Sequence, residues 1–319
     1  MNCPCEGVKK RVKKPKRRPW VENARGYLMV AVMRFLSLLP LKVLCWCGKA
    51  MGYFLIISRS KHLNIARKNI ALCYPQWSGD EIERVARISM LHLGMTAMEI
   101  ALTSCWRGTR VLSCVKRVEG EALLDQLREQ QTPIIFVTPH VGNWEILPFF
   151  LAKRLPTRVM YHPFKMPPVD RFMRRARERS GVQLAPTNVQ GARALLLSLQ
   201  QNHALLVLAD HEPSHGNGIH VPFFGRLAYT STLVPKLARK TGAVIVMVVV
   251  ERLANGRGFV VRLTQGPALH HEVDVAVATT QLNAAIAHLI GAMPEQYAWN
   301  YKRFRHGVNA QYANPYKGL

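Results

Sequence analysis

From Glu119 onward, short β-branched apolar runs alternate with stretches of helical spacing, and this alternation constrains the fold more than any other feature. The runs fall at 134–138, 158–161, 205–209, 243–250 and 259–263. Helical patterns lie between them at 143–154, 168–180, 190–201 and 230–241, and a last one covers about 273–293. Strands too short and too uniformly apolar to face water, each followed by a helix, predict an α/β domain: a mostly parallel sheet flanked by helices on both faces. Before residue 115 the texture is helical. KHLNIARKNIALCY (61–74) and 80–103 carry 3.6-residue periodicity and are split by the turn PQWSG.

The stretch TPIIFVTPHVGNWEILPFF (132–150) holds the first candidate chemistry. TPIIFVT reads as a buried strand ended by Pro139, and WEILPFFLAKRL has helical spacing, with Asn143 placed to cap it. His140 then sits on a strand-to-helix turn and Glu145 in the first helical turn. Inside one helix, residues five apart point about 140° apart and could not meet; with His140 outside the helix, the chain can fold the two together. A carboxylate beside an imidazole fixes its tautomer and favours its charged form, the arrangement a general base needs. The alternative reading is a turn His and a Glu suiting the helix dipole. Spacing alone leaves both open.

Charge points to an anionic partner. Lys and Arg number 44 against 19 acids, a formal +25. The run KKRVKKPKRR at 9–18 holds eight of them, yet without residues 1–18 there remain 36 basic residues against 18 acidic ones. Nucleic acid, a phospholipid surface, a phosphorylated substrate or an acidic protein would each satisfy such a body. The apolar stretch from Tyr27 to Ile57 is interrupted by Arg34, Pro40, Lys42, Gly48 and Lys49, so it lacks a clean window of about 20 uncharged residues. It reads as a membrane anchor lying in, dipping into or reaching across the bilayer, the alternative being a buried helix pair. The expected organisation is a basic, disordered arm at 1–20, a membrane-anchoring segment at 21–57, and one catalytic domain at 58–319, helical to 115 and α/β from 116. Seven scattered cysteines without zinc-finger spacing fit a reducing compartment.

Other constellations narrow the chemistry. HEPSH (211–215) matches a zinc-protease pattern by letter, but Pro213 would break the helix that pattern requires, so the stretch is expected to be a loop without metal. Asp210 ends the strand before it, at the carboxyl edge where ligand-facing residues collect; capping of local backbone is the other reading. The segment GNGIHVPFFGRLAYTST (216–232) reads as an apolar lid or pocket wall. The five arginines between 171 and 179 cannot all be buried, so some must face solvent or an anion, a solvated helix face being the plain alternative. No Ser lies in a G-x-S-x-G elbow and no glycine-rich phosphate loop appears, so direct transfer is favoured over a covalent acyl-enzyme, with no cofactor.

Five blocks in order carry a family resemblance: NIARKNIALCYPQWS, GMTAME (94–99), HVGNWE (140–145), ADHEPSHGNGIHVPFFGRLAYTST (209–232) and PEQYAWNYKRFR (294–305). The chain resembles the lipid A biosynthesis acyltransferases, within the lysophospholipid acyltransferase superfamily with its H-x4-D/E motif. The resemblance implies a glycerolipid-acyltransferase-like α/β fold with an N-terminal membrane-associated region at the cytoplasmic face of the bacterial inner membrane. It implies transfer of a fatty acyl group from acyl carrier protein to a hydroxyl of a phosphorylated glycolipid, a lipid A precursor. It makes His140 the base and Glu145 its orienting partner, and places Arg177, Asp210, Asn143 and Tyr161 among substrate-binding residues. Where family members read Tyr-Arg-Pro, this chain has Tyr161-His162-Pro163. Rivals are an acyltransferase acting on a lysophospholipid or ornithine lipid, a hydrolase on the same scaffold, and a non-catalytic basic protein bound to membrane or nucleic acid. The last explains neither the apolar N-terminus nor the paired His and Glu, and no nucleic-acid partner is expected.

Overall fold

The computed structural model describes residues 19–269, 272–307 and 313–319, so the arm expected at 1–20 lies, but for Pro19 and Trp20, outside the described residues. Five helices come first: α1 (Pro19–Leu36), α2 (Leu41–Ile57), α3 (Lys61–Cys73), α4 (Gly79–Cys105) and α5 (Gly108–Leu112). Then follow β1 (Val115–Glu119), α6 (Glu121–Glu129), β2 (Ile134–Thr138), a 3-10 turn at Trp144–Ile146 running into α7 (Leu147–Ala152), β3 (Thr157–Tyr161), α8 (Pro167–Glu178), β4 (Gln183–Pro186), α9 (Val189–Gln200) and β5 (Ala204–Leu208). The chain continues through β6 (Gly218–Phe223), β7 (Arg226–Ser231), α10 (Leu233–Thr241), β8 (Val244–Arg252), β9 (Phe259–Gln265) and α11 (Val275–Ala292).

Seven strands form one sheet in the order β1-β9-β8-β2-β5-β3-β4. The five from β8 to β4 are parallel; β9 is antiparallel to β8, and β1 runs with β9. All five positions of the central β2 are buried, because helices cover both faces, and this is why its sequence reads as an unbroken apolar run rather than an alternation. The five runs picked out by sequence are β2, β3, β5, β8 and β9. The sheet's two edge strands, β1 (VKRVE) and β4 (QLAP), were not among them. They are short and partly exposed, so neither carries the apolar signature of a covered strand.

The segment expected as a lid is instead the antiparallel hairpin β6–β7, against which α11 packs. Its turn places Phe224 at φ 50° and Gly225 at φ 74°. Two successive left-handed residues make the tight turn that matches strand twist, but a bulky Phe in the first of them hides the signal. The helix expected at 230–241 starts only at Leu233, since Thr230 and Ser231 belong to β7.

α1 and α2 both lie on α4. Gly48 and Gly52 of α2 face Gly94 of α4 so closely that a Cβ on Gly94 would run into the Gly48 carbonyl oxygen. Gly94→Val is therefore expected to destabilise the protein by at least about 1–3 kcal/mol through overpacking. Gly79→Ala, where the added carbon meets nothing, should stay within about 0.5 kcal/mol; thermal unfolding of the two variants measures the contrast. By length and composition α4 and α11 could each cross a membrane, and α2 with α3 only as a pair bent by 84°. α4 is nonetheless a core helix here, with Val85, Ala86, Met90 and Leu102 fully buried.

Candidate active site

Sheet register assembles the site. Thr138 on β2 lies opposite Leu208 on β5, so His140 and Asp210, each two residues further on, emerge side by side at the carboxyl edge of adjacent parallel strands. Asp210 is fully buried. Its Oδ1 lies 2.8 Å from His140 Nδ1, and its Oδ2 lies 3.1 Å from the same nitrogen and accepts the His140 backbone N–H at 3.2 Å. Burial alone would push the Asp210 carboxyl up; the neighbouring His140 charge and the hydrogen bonds from His140 outweigh it and hold the carboxyl well below the usual range. An ionised carboxylate can only accept, so Nδ1 carries a proton, and in the neutral ring it is Nε2 that holds the lone pair.

Aromatic rings fix the imidazole plane. His211 stacks on His140 at 3.9 Å and 6°, Tyr301 stacks on the far side of His211 at 3.6 Å, and Trp144 meets His140 edge-on at 4.7 Å. Burial, followed by the charge of His140, pushes the His211 pKa down to about 3, so His211 is a neutral platform at physiological pH. Ligand atoms of His140, Asp210 and His211 come within 4.8 Å of one another. The two imidazoles lie in parallel planes, however, so their in-plane lone pairs do not converge on one ion. HEPSH lies in the loop after β5, as its proline requires.

The orienting partner of His140 is thus Asp210, where the sequence reading placed Glu145. Glu145 sits in the 3-10 turn, buried, and its carboxylate forks onto Arg177 of α8: Arg177 Nε donates to Oε2 at 3.1 Å and Nη2 to Oε1. The reason is electrostatic. A carboxylate withdrawn from water needs a cation, and the α8 guanidinium supplies one with two parallel hydrogen bonds. Burial works against the charge on Arg177, but Glu145 more than offsets it and the guanidinium stays protonated.

The remaining candidates are also redistributed. Asp210, expected among substrate-binding residues, is enclosed and hydrogen-bonded to His140 and to the buried Tyr297. Tyr161 is 4% exposed; its hydroxyl donates to Asp170, and its ring lies 5.2 Å beneath the Arg177 guanidinium. It supports Arg177 rather than facing an open site. Asn143 makes no side-chain cap; its backbone carbonyl, not its side chain, accepts the Ile146 N–H, and its buried Oδ1 and Nδ2 have no partner among the described residues. Sequence reasoning missed His211, Trp144 and Tyr301. Their signal was present in HEPSH, HVGNWE and PEQYAWNYKRFR, but ring stacking between distant segments has no sequence periodicity.

An α/β sheet whose strand-end His has Nδ1 held by a buried carboxylate presents a group that is able to act as a general base. Residues 12–306 match bacterial lipid A biosynthesis acyltransferase, and the chain belongs to that family. It is 27% identical over 269 residues to the lipid A biosynthesis palmitoleoyltransferase of Escherichia coli K12, covering 84% of this chain and 86% of that one. To the lauroyltransferase of the same organism it is 23% identical over 290 residues, 90% and 94% of the two chains, and to its myristoyltransferase 25% identical over 287 residues, 87% and 85%.

Proposed function

We propose that this acyltransferase of lipid A biosynthesis moves a fatty acyl group from acyl carrier protein to a hydroxyl of a phosphorylated lipid A precursor, with His140 as general base. The observation that carries the reading is the Asp210–His140 pair, which turns the Nδ1 proton toward the carboxylate and so gives the neutral ring its lone pair on Nε2. His140 Nε2 takes the proton as the hydroxyl oxygen attacks the thioester carbonyl. The C–O bond forms, the C–S bond breaks, and the proton on the imidazolium passes to the departing thiolate. Asp210 holds the ring and stabilises its transient charge. Glu145 acts through Arg177, fixing a guanidinium near the site for an anionic substrate group. Asn143, with its unpartnered buried amide, remains a candidate substrate-binding residue. The exposed Arg171, Arg174 and Arg175 of α8 give that flank a positive field suited to a phosphorylated lipid and an acidic carrier.

The test is mass-spectrometric detection of product from the purified protein given acyl carrier protein thioester and a phosphorylated glucosamine disaccharide precursor, beside a lysophospholipid and an ornithine lipid. Acylation of the disaccharide alone is expected; transfer only to one of the other lipids would overturn the assignment of the acceptor.

The α1–α2 pair is the proposed membrane-associated region, at the cytoplasmic face of the inner membrane. Among the described residues, twelve of the seventeen exposed large hydrophobics lie between Trp20 and Ile57, including Phe35, Trp46, Phe54 and Ile57. On α2, Val43, Trp46, Ala50, Tyr53 and Ile57 recur at helical spacing on the outward face, which is the pattern of a helix with apolar surface to bury in lipid. The protein should therefore stay in the membrane fraction through a 1 M salt wash, where screening shortens to about 3 Å. A variant with Trp46, Phe54 and Ile57 changed to Glu should be released. Release of the unmodified protein by salt would show that surface charge alone holds it.

A further inference from the structure

The GMTAME stretch of α4 and Gln296 of the PEQYAW turn have no part in the chemistry above, yet they meet behind the loop that carries His140. Glu99 and Arg252 form a fully enclosed ion pair, their side chains 1% and 3% exposed. Arg252 Nε and Nη2 each donate to the Glu99 carboxylate at 2.7 Å, and Nη1 donates to His92 Nδ1 at 2.8 Å. Nη2 also donates to Thr96 Oγ1 at 2.8 Å and to the carbonyl oxygen of Gly142 at 3.2 Å, and Thr96 Oγ1 donates to that same carbonyl at 3.2 Å. From the other side, Gly142 N–H donates to the Gln296 carbonyl at 3.1 Å, while the Gln296 side chain spans the Arg252 backbone, accepting its N–H at 2.8 Å and donating to its carbonyl at 3.1 Å.

Gly142 is two residues from His140 and has φ +61°, a left-handed conformation. A Cβ there would run into the Val250 carbonyl, so no side chain can anchor this point and only its peptide groups can be held. The neighbours are tied in the same way: Ala298 N–H donates to the His140 carbonyl at 3.0 Å and Asn143 N–H to the Val250 carbonyl at 3.1 Å. A buried ion pair is a poor device for stability alone, because apolar residues of similar size often replace one without loss. A catalytic base displaced by about 1 Å, in contrast, costs on the order of 10²-fold in rate.

We propose that Arg252, held by Glu99 and Gln296, is a positioning residue that clamps the Gly142 carbonyl and so fixes the loop delivering His140 to the acceptor hydroxyl. The inference rests on His140 being the base.

The test compares Thr96→Val, which removes one hydroxyl from the clamp, with the double variant Glu99→Met/Arg252→Met, which replaces the whole ion pair by apolar side chains. Two readouts are taken on folded protein: amide hydrogen exchange across residues 138–147, and kcat, KM and the pH profile of acyl transfer. In the double variant, the Gly142 and Asn143 amides should exchange at least about 10-fold faster while β2 and β5 are unchanged, as for a local opening. Its kcat should fall on the order of 10–100-fold, with KM within about 2-fold and the midpoint of the pH profile unmoved, because the base is displaced and not retuned. Thr96→Val should show the same signature at several-fold, and it decides the matter if the double variant does not fold. Unchanged loop exchange, or wild-type kcat with a loosened loop, would overturn the clamp. If the unmodified protein transfers no acyl group to any acceptor, the proposed function fails instead, and the exchange data still show whether the clamp orders the loop.

Discussion

In a folded His140→Ala protein, single-turnover acyl transfer from acyl carrier protein to the lipid A precursor should fall by about 10²–10⁴, the range for loss of a general base. Lipid binding should persist, because it draws on other surfaces. Asp210→Asn separates the two carboxylates. The amide is nearly the same size, but it can donate to Nδ1 and so favour the wrong tautomer, with the proton on Nε2. Turnover should drop nearly as far as in His140→Ala, whereas Glu145→Gln should cost less at the chemical step because its contact is with Arg177. Near-wild-type turnover in folded His140→Ala would end the mechanism, and a larger loss for Glu145→Gln than for Asp210→Asn would return the orienting role to Glu145. Acid stability gives an independent reading. The Asp210 carboxyl is held well below its ordinary range, so its contribution is present above the unfolded carboxylate pKa of about 4 and is lost as pH falls below it. Asp210→Asn should therefore flatten the decline in melting temperature below about pH 4, compared with the unmodified protein.

The second large effect is expected at Arg177. Removing it leaves Glu145 buried and unpaired, a change worth about 3–5 kcal/mol in stability for enclosed pairs. Arg177→Ala should lower the melting temperature sharply and abolish most turnover. Arg171, exposed on the same helix and donating to the Tyr27 hydroxyl at 3.1 Å, is the control: Arg171→Ala should change stability by no more than about 1 kcal/mol. The double variant Arg177→Met/Glu145→Met tests the cause. It removes both charges, so much of the stability should return while activity does not. Equal effects at Arg171 and Arg177 would take Arg177 out of the site.

What the sequence by itself determined follows from local physics. Uniform burial made β2, β5 and β8 legible as apolar runs, 3.6-residue periodicity disclosed the helices before and between them, and Pro213 was enough to exclude a metalloprotease helix. The ordered motif blocks carried the family, and HVGNWE located His140 at a strand end. What lay beyond sequence was every relation that depends on which strands are neighbours. Asp210 reaches His140 because β5 pairs with β2 in one register, and a shift of two residues would have parted them. Glu145 meets Arg177 because the 3-10 turn faces α8. Glu99, Arg252 and Gln296, separated by up to 197 positions, converge on Gly142 only once α4, β8 and the 294–298 turn have closed around the loop. Near a strand end, spacing along the chain limits where a side chain can be, and the sheet and its covering helices decide which charge it finds there.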